Sequence, residues 1–373
     1  MHDVDAARRY HDPRYRAILA DLAIGLALLA LVALTEPGHA LAGVVNSLPE
    51  ALGAFVLGAL LVVLSALVRL PLSIWLGLTH EREFGFSRQS GREYALDRVK
   101  GVGIGALLTG AGMAGLVGAA VLFPAAWPVV AAVGAALLVL LLSFVAPVVL
   151  EPVFNKFRPL EDSELREAVM WLAADSGVPV REVLVADASK RTTKLNAYVS
   201  GLGATRRVVL YDTLVETATT PEVLTVVAHE LGHRRYRHVA LGTAIAMAAS
   251  AGFVLVLWAL LKNDGVTDAI DVTGAGDARV VPFVLLLGSF LGLLLAPLQA
   301  ALSRSWEYAC DRFAVAQTGD LSAFESAFGR LSEANLPDPA PPRLAYLWLF
   351  SHPTVPERLE AARRATSSTT VPA

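Results

Sequence analysis

The most constraining feature of the sequence is a run of 50 residues, from 101 to 150, that contains no charged side chain. One helix of that length would be about 75 Å long, whereas the hydrocarbon layer of a bilayer is about 30 Å thick. The run contains the segment Phe123-Pro-Ala-Ala-Trp-Pro128. Prolines interrupt helices, and tryptophan favours the membrane interface. The run therefore predicts two antiparallel spans, 101–123 and 129–150, joined by a short turn.

Four further apolar stretches are long enough to cross a membrane once, and they lie at 18–34, 51–68, 239–261 and 280–302. Hydrophobic residues make up 55% of the chain and charged residues only 17%, whereas soluble chains carry about 25% charged residues. The predicted fold class is therefore mainly α, a polytopic membrane protein with about six helical spans.

The distribution of Lys and Arg predicts the orientation of these spans. The segments 1–17, 69–100, 151–238 and 303–373 hold 29 of the 31 basic residues, and the intervening segments hold 2. Because basic segments stay in the cytoplasm, both termini and the segment 151–238 are expected there. A net charge of −3 makes nucleic acid an improbable partner and leaves membrane lipid as the expected surroundings.

The span positions divide the chain into five predicted parts. Residues 1–150 form a membrane region with four spans, 151–238 a cytoplasmic segment, 239–302 two further spans, and 303–364 a second cytoplasmic segment. Residues 365–373 are expected to be a disordered tail. Short strands are predicted near Glu182 and Arg207, so the cytoplasmic part is expected to be α+β.

A metal-binding motif lies on the helix that leads into the fifth span. His229 and His233 are four residues apart, so both imidazoles project from one face of a helix and can chelate Zn²⁺. Glu230 points aside from that face and is placed to act as general base toward water. The predicted cofactor is therefore one zinc ion.

The third ligand is expected from the polar segment after the sixth span. Glu307 and His233 lie at similar heights above the same membrane face, and Asp311 follows Glu307 by one helical turn. Asp311 could fix the tautomer of a ligand histidine. The residues alone also allow a solvated helix face on which these acids pair with Arg304 and Arg312. His238 lies about 140° from the ligand face of a continuous helix, which argues against ligation.

These motifs resemble the type I CAAX prenyl endopeptidases, which are integral-membrane zinc metalloproteases. The resemblance extends over most of the chain through blocks in the family's order. They are His229-Glu-Leu-Gly-His233, Ser303-Arg304-x-x-Glu307-Tyr308-x-x-Asp311-x-Phe313-Ala314, Glu83-Phe-Gly-Phe86 with Gln89, Asp97 and Lys100, Phe154-Asn-Lys-Phe157, Asn196-Ala-Tyr198, Val209-Leu-Tyr-Asp212, and Ser351-His352-Pro353 with Arg358. Two departures are a count of six spans, where eukaryotic members have seven, and Cys310, where a small residue is usual.

The resemblance implies a zincin-like metalloprotease domain in the cytoplasm and a role for each matched residue. His229, His233 and Glu307 would bind zinc, and Glu230 would act as general base. His352 would stabilise the tetrahedral intermediate, while Asp311 and Arg358 would support the ligands. The substrate would lie against an edge strand formed by Asn196, Ala197 and Tyr198.

The implied function is endoproteolysis of a peptide or protein, lipidated or membrane-associated, at the cytoplasmic face of a bacterial plasma membrane. A first alternative is a membrane-protein quality-control protease of the heat-shock type, although such proteins usually have about four spans. A second alternative is a non-catalytic scaffold or a transporter. Only Asp21 lies within a predicted span, which argues against a buried substrate path.

Overall fold

The computed structural model describes residues 4–201 and 203–369, and most of them are helical. Within these residues six helices are long and apolar enough to cross a membrane, as predicted. They are α1 (Val4–Leu34), α3 (Glu50–Val68), α6 (Gly91–Leu122), α7 (Trp127–Val145), α12 (His238–Leu260) and α14 (Val281–Thr318). Helix α7 continues through a π-helical turn, Ala146–Leu150, into the short helix α8 (Glu151–Phe154).

Three of these helices extend well beyond the predicted spans, on the side where the basic residues lie. Helix α1 begins 14 residues before the predicted start at 18, and α6 begins at Gly91, where Ser90 and Glu93 form a capping box. Helix α14 continues 16 residues past the predicted end at 302. Hydropathy marks only the part of a helix that lies in hydrocarbon. The projecting helix ends form part of the framework on which the polar region is built.

The uncharged run folds as the predicted hairpin. Helix α6 ends at Leu122, α7 begins at Trp127, and the two helices pack against each other. At this end of the bundle an apolar cluster joins Val45, Trp127, Val272 and Leu257. The short helices α2 (Glu36–Ala42) and α13 (Asp264–Ala269) lie in the connections at this end. The backbone N–H of Ala278 also donates a hydrogen bond of 2.7 Å to the Glu50 carboxylate.

The polar region contains a mixed four-stranded sheet within the described residues. Its strands are β1 (Phe157–Pro159), β2 (Glu182–Ala186), β3 (Ala197–Ser200) and β4 (Arg207–Tyr211). The strand order is β1-β2-β4-β3, with β2 and β4 parallel and the other pairs antiparallel. Strand β3 is consequently an edge strand, and its position beside the helix that carries the histidine motif makes it part of the site.

One face of the sheet packs against helices to form the core of the polar region. The main helices of this region are α9 (Ser163–Asp175), α11 (Thr220–Arg235), α15 (Leu321–Asn335) and α17 (Val355–Thr369). The remaining short α-helices of the described chain are α4 (Leu70–Ile74), α5 (His80–Glu83), α10 (Asp212–Thr217) and α16 (Arg343–Leu349). Leu210, Leu231 and Phe324 are fully buried in this core.

The predicted disordered tail, 365–373, is wrong for its first five residues. Helix α17 continues to Thr369, and residues 370–373 lie outside the described part of the chain. The helix is held because Ala362 is fully buried in the core, and the Thr366 hydroxyl donates a hydrogen bond to the Ala362 carbonyl. Residues 365–369 therefore extend an anchored helix.

Candidate metal centre and cleft

Helix α11 presents both motif histidines and is fixed at its first turn. Thr219 caps the helix, Pro221 lies in its first turn, and Glu222 completes a capping box. The Glu222 carboxylate accepts hydrogen bonds from Ser326 (2.6 Å) and Arg330 (2.8 Å) of α15. Burial raises the pKa of Glu222, but the hydrogen bonds from Arg330, Ser326 and Thr219 outweigh burial and lower it to about 2. The histidine helix is thus anchored to α15 by a charge pair whose carboxylate is buried.

The glycine of the motif permits close contact between α11 and α14. A Cβ atom at Gly232 would lie 3.2 Å from Cys310 Sγ and 3.3 Å from Cys310 Cα. A larger residue there would push the helices apart and separate the histidines from Glu307, which lies one turn before Cys310 on α14. Cys310 itself is fully buried, as expected of a packing residue.

His229, His233 and Glu307 converge with their lone pairs on one point. His229 Nε2 and His233 Nε2 are 3.3 Å apart, and each lies 3.2 Å from a carboxylate oxygen of Glu307. A tetrahedral ion with bonds of about 2.0–2.1 Å has ligand atoms about 3.3 Å apart. Glu307 Oε2 is buried and has no hydrogen-bond partner among the described residues. The donor set and its spacing fit Zn²⁺.

Asp311 and Arg358 hold the ligands from behind. The Asp311 carboxylate lies 2.9 Å from His229 Nδ1 and accepts two hydrogen bonds from Arg358, of 2.8 and 2.6 Å. Arg358 also lies over the Phe328 ring, and its Nη2 is 3.4 Å from Glu307. Burial lowers the pKa of His229, but Asp311 and Glu307 outweigh burial and raise it to about 9. The two carboxylates therefore favour positive charge at His229.

Arg304 and Arg312, the alternative partners of the acidic residues, do not reach them. Arg304 donates hydrogen bonds to the backbone carbonyls of Tyr346 and Phe350, and Arg312 is exposed. The solvated-face interpretation of Glu307 and Asp311 is therefore wrong. Both side chains are almost completely buried, at 3% and 1% exposure.

A cleft of about 340 Å³ opens in front of the ligands. Glu230 lines this cleft and has no hydrogen-bond or ion-pair partner in the part of the chain that the structure describes. Burial raises the pKa of the Glu230 carboxyl group. A partly desolvated carboxylate beside a metal centre is a stronger base than one in water, as proton abstraction requires.

His352 and the segment before β3 line the same cleft. His352 Nε2 lies 3.5 Å from Glu307, and its side chain is 60% exposed. Asn196 and Ala197 also line the cleft, where the Asn196 side-chain oxygen accepts a hydrogen bond from the Ala197 N–H. The structure thus brings together the metal ligands, Glu230, His352 and two of the three residues expected to contact substrate.

Tyr198 is the exception, because side chains alternate along a strand. Ala197 and Val199 face α11, whereas Tyr198 packs on the opposite face of the sheet and donates a hydrogen bond to Glu151. The backbone N–H and C=O groups of Tyr198 are also already paired within the sheet, with β4. Tyr211 N–H donates to Asn196 C=O, so the antiparallel register places Tyr198 in a hydrogen-bonded pair with Val209. The structure does not bring Tyr198 into the cleft.

Two contacts of the site were not predicted from the sequence. Asn335 clamps the segment before β3, because its side chain both donates to and accepts from the backbone of Leu195. His238 Nδ1 lies 3.2 Å from His233 Nδ1. Asn335 is 140 residues from Leu195 and belongs to no motif, so the sequence carried no signal for that contact.

Two sequence profiles match consecutive parts of the chain. Residues 159–366, which hold the sheet and the ligands, match peptidase family M48. Residues 2–156 match a profile described as CAAX prenyl protease N-terminal, five membrane helices. Together with the six apolar helices, this second match identifies an integral membrane protein.

Similar proteins come from bacteria and eukaryotes. An uncharacterized metalloprotease, YhfN of Bacillus subtilis, is 33% identical over 60% of this chain and 53% of its own length. A probable CAAX prenyl protease 1 of Schizosaccharomyces pombe is 30% identical over 81% and 64%, and CAAX prenyl protease 1 of Saccharomyces cerevisiae is 30% identical over 80% and 69%. The chain thus spans between half and about two thirds of these relatives.

One solved structure shares the fold over most of both chains. The crystal structure of S. mikatae Ste24p aligns with a TM-score of 0.77 and 26% sequence identity. The alignment covers 84% of this chain and 77% of that chain. The likeness therefore includes the membrane helices as well as the region that holds the metal ligands.

Proposed function

The chain belongs to peptidase family M48, and we propose that it is a zinc endopeptidase that hydrolyses peptide bonds at a membrane surface. The observation that carries this proposal is the convergence of His229, His233 and Glu307 at tetrahedral spacing beside the unpaired carboxylate of Glu230. A structural zinc site would use four protein ligands and would need no base beside it.

The residues of the cleft divide the reaction between them. A bound Zn²⁺ supplies a Lewis acid that polarises a carbonyl group and makes water more acidic. Glu230 takes a proton from the attacking water and returns it to the leaving amine. His352 donates a hydrogen bond to the oxygen on which negative charge develops. Asp311 and Arg358 keep the ligand side chains in place throughout.

The free edge of β3 is the surface on which a peptide would be aligned. The register leaves the N–H and C=O groups of Ala197 and Val199 directed away from β4. Arg234 of α11 already donates a hydrogen bond to the Val199 carbonyl. A peptide running antiparallel to β3 would thus pair with Ala197 and replace the Asn196 side chain as acceptor of the Ala197 N–H. Pairing would end at Val199, because Arg234 already occupies its carbonyl group.

The proposed substrate is a peptide or protein held at the membrane, and a prenylated carboxyl-terminal segment is the first class to test. CAAX prenyl protease 1 proteins are among the similar sequences. Glu307 lies on α14, which continues into a span, and His233 lies five residues before the start of α12. The bias of basic residues supports a cytoplasmic site, and a bacterial plasma membrane is the proposed location.

The test is peptide cleavage by the purified protein, with the wild type beside Glu230→Gln. Glu216→Gln serves as the matched control, because Glu216 is an exposed glutamate at the end of α10. A prenylated CAAX peptide and an unfolded membrane protein are offered as separate substrates. We expect cleavage to be lost in Glu230→Gln and on chelation, while Glu216→Gln cleaves as the wild type does.

The two substrates separate the proposal from its alternatives. Preference for the prenylated peptide supports the proposed substrate class, whereas broad cleavage of the unfolded protein would indicate a quality-control protease. Undiminished cleavage by a zinc-loaded Glu230→Gln variant would contradict the proposed mechanism. Stoichiometric zinc with no cleavage of either substrate would favour the scaffold alternative.

A further inference from the structure

The chain leaves the α-helical conformation between the histidine motif and the fifth span. Helix α11 ends at Arg235, and Arg237 adopts a left-handed conformation with φ 58° and ψ 28° before α12 begins at His238. A non-glycine residue in this conformation costs about 1–2 kcal/mol. In an uninterrupted helix His238 would point away from the ligand face. The break instead brings the His238 ring next to His233.

His238 consequently lies against the second metal ligand. The Nδ1 atoms of His233 and His238 are 3.2 Å apart. The His238 ring is buried and stacks on Trp306 of α14, with ring centroids 4.7 Å apart and an angle of 5° between the planes. Its orientation is therefore fixed by packing on two helices rather than by the contact with His233 alone.

The chemistry of imidazole assigns a direction to the contact between the two rings. His233 Nε2 faces Glu307 and His229, so this nitrogen is the one that binds a metal. A neutral imidazole that binds a metal through Nε2 carries its proton on Nδ1 and needs an acceptor there. Among the described residues, His238 Nδ1 is the acceptor that lies within hydrogen-bond distance of His233 Nδ1.

We propose that His238 is a positioning residue that accepts the hydrogen bond from His233 Nδ1 and so fixes the tautomer and orientation of that ligand. Asp311 makes the corresponding contact with His229. The two histidine ligands would thus be oriented by different groups, a carboxylate for one and a neutral imidazole for the other. This inference rests on the zinc site of the proposed function.

A second metal ion is the competing explanation of the same cluster. Cys310 Sγ lies 3.6 Å from His238 Nδ1, and the ligand atoms of His233, His238 and Cys310 lie within 4.8 Å of one another. A metal held there would force His233 to bridge two ions through both ring nitrogens. Cys310 is also fully buried, which disfavours the thiolate that would bind the metal.

The test compares two variants of nearly equal shape, His238→Asn and His238→Leu. The side-chain oxygen of Asn can replace Nδ1 as acceptor, whereas Leu offers no acceptor. Zinc affinity of the purified full-length protein is measured by competition with a chelator, and thermal unfolding of the metal-free protein is measured alongside. We expect His238→Leu to weaken zinc binding by about 10- to 100-fold and His238→Asn to remain within about threefold of the wild type.

The outcomes distinguish this inference from the proposed function. Equal zinc affinity in both variants, whether weak or strong, would overturn the role of His238. Two zinc ions per wild-type chain, with one lost in Cys310→Ser, would establish the second metal site instead. A wild-type chain that binds no zinc would overturn both proposals, whereas zinc binding without peptide cleavage would overturn only the proposed function.

Discussion

Each ligand side chain of the metal centre has a further contact that restricts its rotation. Asp311 contacts His229, His238 contacts His233, and Arg358 Nη2 lies 3.4 Å from Glu307. The ligand atoms are therefore held at metal-binding distances by the protein itself. Such pre-organisation reduces the conformational entropy lost when the metal binds.

His352 differs from the ligands in its exposure and in its expected effect. We predict that His352→Ala lowers kcat by about 100-fold or more, the usual consequence of removing one donor to a developing oxyanion. Zinc content should not change, because His352 belongs to neither ligand set and its side chain is 60% exposed. Steady-state kinetics and metal analysis of the same preparation check both parts. Loss of zinc from His352→Ala would instead assign His352 to the metal.

The convergence of His229, His233 and Glu307 could be predicted from the sequence because helix geometry relates spacing to direction. The four-residue spacing of His229 and His233 and the matching heights of His233 and Glu307 required only regular helices. The same assumption argued against ligation by His238, whose contact with His233 depends on the left-handed Arg237. The residues around Arg237 contain no pattern that predicts a left-handed conformation at this position.

Among the elements, α11 depends on an ion pair at its first turn, between the buried Glu222 and the partly exposed Arg330. We predict that Glu222→Gln lowers the free energy of unfolding by about 1–3 kcal/mol at pH 7, since the pKa is lowered from 4.5 to about 2 while the partner Arg330 is partly exposed to solvent. Because the folded-state pKa lies below the ordinary value, this stabilisation is present above about pH 4.5 and is lost as the pH falls towards 2. Denaturant titrations at several pH values measure it.

Glu216→Gln is the control for this stability experiment as well, because Glu216 is exposed and makes no comparable contact among the described residues. The difference between wild type and Glu222→Gln should shrink towards zero near pH 2. A difference that stays constant down to that pH would mean that shape, rather than the charge of Glu222, stabilises the helix.

Arg234 limits the length of β3 that can pair with a peptide, because it donates a hydrogen bond to the Val199 carbonyl. We predict that Arg234→Met frees the Val199 carbonyl for pairing and raises kcat/KM about 2- to 10-fold for peptides that extend on the amino-terminal side of the scissile bond. Those residues lie beside Val199, because the peptide runs antiparallel to β3. Short peptides should not respond, and Arg235→Met, a change at an exposed neighbour, should affect neither. An equal effect on long and short peptides would contradict the assignment.

The number of spans could be predicted from the sequence, whereas the ends of the helices could not. Hydrocarbon requires about 20 apolar residues and so leaves a clear signal. The ends at Val4, Gly91 and Thr318 depend instead on caps and on packing within the polar region, which hydropathy does not record. Tyr198 illustrates the same limit in the sheet, because its strand was expected but the face it occupies was not.

For the whole molecule, the bundle has a polar region at one end and packed connections at the other. We predict that Asp268→Cys reacts with a membrane-impermeant thiol reagent on intact cells, whereas Glu161→Cys reacts only after permeabilisation. Both positions are exposed, and the single native cysteine, Cys310, is fully buried and should not react. The reverse pattern of labelling would invert the proposed orientation.

The closeness of the proposed ligands to the membrane spans has a mechanical consequence. Glu307 lies on α14, which extends into lipid, and His233 lies five residues before the start of α12, so two of the proposed ligands are close to membrane-spanning segments. Spans tilt to match the thickness of the surrounding bilayer. In vesicles made from lipids of graded acyl length, the distance between His233 and Glu307 is therefore expected to change with bilayer thickness. Zinc affinity would then depend on the lipid without any change of sequence.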